Sequence, residues 1–412
     1  MFTPKFIRIG IALAGLSAGS VLAAPAAAAP PVPPPAVPAT AVPGVLPTVV
    51  PGTPGTATTP STAASAAGGL TAVTVPTSAA RRASGLPWSD GGYFAHDSAQ
   101  ADAFAAWRGR PVDNIVAFTH RQTWPALLEP WWTTSLPAGF DASRDDFILS
   151  VPLWTDDGDA GSDAQWTQLA TATTAVDPDA FMRVGWEMNC CFSLATDQDA
   201  WRTQFTRAAT LLKAAAPELQ IVFNPNEGAS SNNTVTDPSV LFVDGLIDIV
   251  AIDAYDWYPA YTDEASWAQH RDKQFGWNHW YDFARSKNLP FAVAEFGVSA
   301  ASTDTGGDNP AYFQHAYGWL MEKATTTPGS IAFVSIFNEP AEYCLCQLYP
   351  TTANPAAGER YRDLLAELAG AAPAPPEGTV TGPDDTTPAP PAEPDSGLSA
   401  GDLPASAGTP TG

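Results

Sequence analysis

Two short apolar runs end in glutamate: Phe181-Met182-Arg183-Val184-Gly185-Trp186-Glu187 and Phe291-Ala292-Val293-Ala294-Glu295. Each reads as a buried strand, and the first is entered from the turn signal Asp177-Pro178-Asp179. A carboxyl group at such an end, between Trp186 and Asn189, has the aromatic and partly dry setting that raises a carboxylic pKa. A raised carboxyl group can donate a proton, and a second one on the same sheet can attack or act as base. Two carboxylates at strand ends on one sheet are the minimal equipment for cleaving a glycosidic bond. The plainer reading of either residue alone is a structural ion pair. Arg183, four residues before Glu187 on the same face, is the candidate partner.

Such a pair needs a sheet to carry it. Short apolar runs alternate with helix-like stretches, the pattern of βα units around a parallel sheet. Candidate strands fall at Gly92–Ala95, Ile115–Thr119, Phe147–Leu153, Phe181–Glu187, Ile221–Asn224, Ile247–Ala254, Phe291–Glu295 and Ile331–Phe337. Eight of them predict a closed (β/α)8 TIM barrel, an α/β fold whose sites lie at the carboxyl ends of the strands. Helices are predicted over Asp197–Ala215 and Pro310–Lys323, the latter with Asn309 as N-cap and Pro310 in the first turn.

Polar and aromatic residues collect at those carboxyl ends. They are His120, Trp154, Glu187 with Asn189, Asn224 with Asn226, then Asp253, Tyr255, Asp256 and Trp257, then Glu295, and last Asn338 with Glu339. Too little foldable chain follows Asn338-Glu339-Pro340 for another catalytic strand, so Glu339 reads as a loop carboxylate lining or capping the site. Trp154, Trp186 and Trp257 are candidates to meet sugar rings, because flat aromatic faces stack on the apolar faces of sugars. Trp131 and Trp132 stay open between that role and packing, whereas Trp166, Trp201, Trp280 and Trp319 lie in helix-like stretches and read as core. His120 either binds a sugar hydroxyl or caps its strand.

Composition bounds the rest. The formal net charge of -24 excludes nucleic acid and anionic membrane surfaces as partners, but not a neutral polymer. Residues 1–29 have the form of a secretory signal: Lys5 and Arg8, an apolar run from Ile9 to Ala24, and small residues for cleavage between Ala23 and Ala29. Residues 30–82 form a Pro/Ala/Thr-rich linker, residues 83–371 hold the barrel, and residues 372–412 make a disordered tail. The expectation is an exported or wall-associated monomer, not inserted in a membrane once the signal is removed.

Cys190, Cys191, Cys344 and Cys346 should be oxidised in an exported chain. A bond between adjacent cysteines is strained, which favours two bridges joining the loop after the fourth strand to the loop after the eighth. A zinc site made by the four thiolates is the rival reading.

The segment Arg183-x-Gly185-Trp186-Glu187-Met188-Asn189 resembles the acid/base strand of glycoside hydrolase family 26, and Ala294-Glu295-Phe296-Gly297 is similar to its nucleophile strand. Ser150-Val151-Pro152 and Asp253-Ala254-Tyr255-Asp256 also match, and the resemblance runs from about Ser89 to Gly370. It implies a retaining endo-glycosidase without metal or organic cofactor, acting on a β-linked polysaccharide, with β-1,4-mannan the family's commonest substrate. Glu187 would be the acid/base, Glu295 the nucleophile and Tyr255 its orienting partner. Xylan, mixed-linkage glucan or an envelope glycan would use the same two acids. Transglycosylation, remodelling of an envelope polysaccharide, and a catalytically silent carbohydrate-binding barrel stay open as alternatives.

Overall fold

The computed structural model describes residues 82–190, 195–229, 235–257, 259–350 and 353–369. The signal, nearly all of the linker, the tail and Cys191 lie outside the described residues.

Eight parallel strands close into a barrel in sequence order: β1 Ser89–Tyr93, β2 Asn114–Phe118, β3 Asp146–Val151, β4 Phe181–Val184, β5 Gln220–Phe223, β6 Ile249–Tyr255, β7 Phe291–Gly297 and β8 Ile331–Phe337. β1 pairs with β8 to complete the ring. Helices alternate with the strands: α1 Ser98–Arg108, α2 Trp124–Leu127, α3 Asp163–Thr174, α4 Gln198–Ala215, α5 Glu264–Asp272, α6 Trp277–Ser286, α7 Pro310–Thr326 and α8 Pro355–Ala369. The side chain of Asp197 caps α4 and that of Asn309 caps α7. Pro310 opens α7, where its missing N–H costs nothing.

Period-two alternation divides each strand between two cores. On β2, Val116 faces the barrel interior with Ile148, Phe181, Val222, Ile249, Ala292 and Phe333, while Ile115 and Ala117 face the helices. Trp166, Trp201, Trp280 and Trp319 belong to the outer core, as their positions in the sequence predict. Trp124 and Trp132 join them.

Every strand but β8 differs from its expected bounds by a residue or more, and two depart by three for identifiable reasons. β1 starts at Ser89 and ends at Tyr93, earlier than predicted, because its polar, glycine-rich sequence carries no apolar run. Its backbone is pressed so close to both neighbours that a Cβ on Gly91 would lie 2.0 Å from the Asn114 carbonyl oxygen. β4 stops at Val184 instead of reaching Glu187, because Gly185 turns the chain with φ +64°. A side chain there would meet Leu153 Cγ at 2.8 Å, so the turn needs glycine.

The third irregularity places the site. β7 alternates from Phe291, which faces the helices, through Ala292 inward and Val293 outward to Ala294 inward. Strict alternation would send Glu295 out to the helices. The pairing with β6 instead jumps from Ile252↔Val293 to Asp253↔Glu295, a bulge that takes up Ala294 as an extra residue. Glu295 therefore faces inward, beside Asp253.

Candidate active site

Arg183 stands at the centre of the barrel's carboxyl end. It points inward one layer above Phe181 and is fully buried. Its Nη2 donates to Asp253 Oδ2 at 2.6 Å and to Glu295 Oε1 at 2.8 Å, and its Nη1 donates to Ser150 Oγ at 2.9 Å. Its Nε donates to Asn224 Oδ1. Four strands thus converge on one guanidinium. The other oxygen of Glu295 accepts from the Tyr255 hydroxyl at 2.7 Å.

Glu187 lies across from this pair. Its backbone is in the left-handed region, with φ +52°, and its N–H donates to the Asn224 carbonyl at 2.7 Å. For a residue with a side chain that conformation costs roughly 1–3 kcal/mol and persists only where surrounding structure enforces it. Its carboxyl group accepts from Asn226 Nδ2 at 2.7 Å. One oxygen each of Glu187, Asp253 and Glu295 lie within 4.8 Å of one another. That spacing suits a cation, and the Arg183 guanidinium supplies the positive charge there.

One guanidinium cannot neutralise three carboxylates, so the acids do not all ionise together. Burial, reinforced by the charge of Glu295, pushes Glu187 up to about 8, against the lowering effects of Asn226 and Arg183. The folded protein therefore keeps a proton on Glu187 from its ordinary 4.5 up to about 8, whereas the unfolded chain has lost it. This group's contribution to stability falls as pH rises through that window. Glu187→Gln carries no such penalty, so its gain in melting temperature over the wild type is expected to grow from about pH 5 to about pH 8. Thermal melts across the range check this, and a gain that shrinks with pH contradicts it.

The remaining residues read from the sequence divide into three groups. Asp253, Tyr255 and Asn224 join the cluster directly. Trp257 stacks on Tyr255 with ring centroids 5.1 Å apart, and Trp186 packs on Phe118 at 5.6 Å. His120 is half-buried and stacks on Trp131 at 4.4 Å, while Trp154, in the loop after β3, packs partly buried against the outer core. Asn189 and Asn338 do not present their amides to a ligand. Asn189 donates to the carbonyls of Asn226 and Gly228 and accepts from the Asn226 N–H. Asn338 donates to the Tyr349 carbonyl and accepts from the N–H groups of Leu348 and Tyr349. Both are buried polar groups that pin loops, a use that residue type and position alone do not reveal.

Two aromatic residues here, Tyr93 and Tyr343, carry no signal in their immediate sequence, and they meet the loop carboxylate Glu339 that the sequence does point to. Tyr93 stacks on Phe337 at 4.9 Å, and Tyr343 packs against the cluster of Tyr255, Phe337, Cys344 and Cys346. Glu339 is paired with Tyr93, and burial raises its pKa. An aromatic wall thus stands between β1 and β8, with Glu339 at its edge. The signal that points to these residues is the barrel itself, which brings the end of β1 against the end of β8.

The cysteines correct an expectation. Cys344 is bonded to Cys346, with Cα atoms 5.1 Å apart. The turn between them passes through Leu345 in the left-handed region, φ +48°, so the ring closes within one loop. No bridge therefore ties this loop to the one after β4, and these two residues form no zinc site. Closing so short a ring constrains the unfolded chain by about 1.6 kcal/mol in the chain-entropy model, well below the gain from a long loop. Cys190 is also disulfide-bonded.

No family model matches the chain, and no curated protein does. Among solved structures it is similar to the catalytic domain of a GH26 endo-β-1,4-mannanase from Bacillus sp. JAMB-750, at 16% identity over 73% of this chain and 93% of that one, with TM-score 0.46. A double mutant of the Cellulomonas fimi endo-β-1,4-mannanase is similar at 13% identity, 69% and 71% coverage and TM-score 0.47. A GH26 β-mannanase from Bacteroides ovatus is similar at 13% identity, 72% and 91% coverage and TM-score 0.44. Each is a likeness of fold.

Proposed function

We propose that the chain is a secreted retaining endo-β-glycosidase acting on a neutral β-linked polysaccharide, with β-1,4-mannan as the first candidate. The observation that carries this reading is the asymmetry of the two glutamates. Glu295 is held by Arg183 and Tyr255 as a nucleophile must be, and Glu187 holds a proton as a general acid must. Their separation supports retention: one oxygen of each lies within 4.8 Å of the other, nearer the ~5–5.5 Å carboxyl spacing of retaining enzymes than the ~6.5–9.5 Å of inverting ones.

In the first step Glu187 protonates the leaving oxygen while Glu295 attacks the anomeric carbon, forming a glycosyl ester. Glu187, now ionised, then takes a proton from water as the water attacks the same carbon and frees Glu295. Arg183 and Tyr255 hold the two oxygens of the nucleophile in place and aim it. A neutral substrate is favoured because Arg183 is already committed to the acids and the chain is strongly acidic.

The test is a panel of mannan, xylan and mixed-linkage glucan, run with the wild type and with Glu187→Ala. The variant is expected to lose about 100- to 10,000-fold on polysaccharide, yet to keep substantial activity on dinitrophenyl glycosides, whose leaving groups need no protonation. Wild-type turnover of polysaccharide should fall above about pH 8, where Glu187 gives up its proton. Adding an oligosaccharide acceptor separates hydrolysis from transglycosylation. No turnover on any glycan or activated glycoside would leave a silent binding barrel.

A further inference from the structure

Behind the two loops that border Glu187 and Tyr255 lies a second buried charge cluster, outside the chemistry above. His270, on α5, is fully buried. Its Nδ1 lies 2.8 Å from Glu227 Oε1 and its Nε2 lies 2.6 Å from the carbonyl oxygen of Pro259. A carbonyl oxygen can only accept. Glu227 also acts as an acceptor, taking Lys273 Nζ at 2.6 Å and Trp277 Nε1 at 3.0 Å. Burial alone would raise Glu227, but His270 and Lys273 outweigh it and hold this carboxyl below its ordinary range. A neutral imidazole has a single N–H and satisfies one acceptor. Two acceptors on the two ring nitrogens require the imidazolium.

The charged and titratable groups around the ring agree with this. Glu227, from the loop after β5, and Asp256, from the end of β6, are acidic, and Lys273 beyond α5 opposes them. Tyr312 on α7 turns its ring to the imidazole edge-on, with centroids 5.3 Å apart. Burial disfavours the charged ring, but Glu227 outweighs burial and the ring's pKa is raised.

What the imidazolium joins gives it a role. Glu227 directly follows Asn226, the hydrogen-bond donor to Glu187, and its own N–H donates to the Asp253 carbonyl at 2.9 Å. Pro259 lies two residues beyond Trp257, which stacks on Tyr255. We propose that His270 is a positioning residue held as an imidazolium, fastening the loop that carries Asn226 to the loop that carries Trp257. When it loses its proton, one of the two loops is released, and turnover drops on the alkaline side independently of Glu187. The consequence for turnover rests on the proposed glycosidase activity, but the protonation state does not.

Nitrogen NMR of the intact protein labelled in its five histidines tests the state directly, with His270 assigned by substituting the others in turn. Two protonated ring nitrogens are expected at about pH 7, where an ordinary histidine with pKa about 6.5 is mostly neutral. One bare nitrogen at that pH overturns the proposal, whatever the enzyme cleaves. The role is tested with His270→Gln, which can keep only one of the two bonds. On polysaccharide its kcat/KM is expected to fall roughly 10- to 100-fold through misplacement of the loops. On dinitrophenyl glycosides, where protonation by Glu187 is not needed, the wild type should retain an alkaline fall that the variant lacks. An identical alkaline fall in both proteins would refute the positioning role.

Discussion

Replacing Glu295 by glutamine is expected to remove turnover on every substrate, by about 10,000-fold or more, including the activated glycosides that Glu187→Ala still cleaves. The amide has the shape of the carboxylate and can still accept from Tyr255 or Arg183, so the site should stay folded. What it loses is the negative charge that makes the oxygen nucleophilic enough to form the glycosyl ester. The contrast between the two variants separates nucleophile from acid, because loss of the acid is repaired by a better leaving group and loss of the nucleophile is not. A mechanism-based fluorinated glycoside should label the wild type on the peptide that holds Glu295, as read by mass spectrometry. Near-native rates in Glu295→Gln, or a label on another peptide, would reject the assignment.

The second large effect is on stability. Arg183→Met leaves Asp253 and Glu295 buried without their cation, and breaking a buried pair from one side costs about 3–5 kcal/mol. Burial already raises Asp253 against the lowering effect of Arg183, and without the guanidinium it rises further, so the loss should be greater at about pH 8 than at about pH 5, where protonation is easier. Urea unfolding of both proteins at the two pH values measures it. A loss below about 1 kcal/mol would show that the acids hold their places without the guanidinium. Arg183 is thus a partner of buried carboxylates and a component of the site, but not the ion-pair partner of Glu187 that its spacing suggests. Its bonds go to Asp253 and Glu295, on strands distant in sequence.

The residues differ in how far the sequence alone exposes them. β2, β3 and β5 to β8 are legible because apolar runs bounded by turn signals have few alternatives, and Glu295 is legible as the end of one run. β1 is not, because a strand of Ser, Asp and Gly is specified by the closeness of its neighbours' backbones, which no local pattern records. Asn189 and Asn338 look like ligand groups until the carbonyls and N–H groups that occupy them are seen. The pairing of Cys344 with Cys346 follows from the left-handed turn at Leu345, and four cysteines by themselves permit three connectivities. Glu227 and His270 stand 43 positions apart and meet only because consecutive βα units are neighbours in the barrel.

The surplus residue in β7 also bears on how this chain is lined up with distant relatives. A gap of one position inside Phe291–Gly297 changes which residue stands beside Asp253. Motif matching that slides by a single place would then give the role proposed for Glu295 to Ala294, which has no carboxyl group, or to Phe296, which points into the outer hydrophobic layer. Transfer of roles along this strand holds only between sequences that share its length, and the count of residues from Phe291 to Glu295 is as much a part of the signature as the glutamate itself.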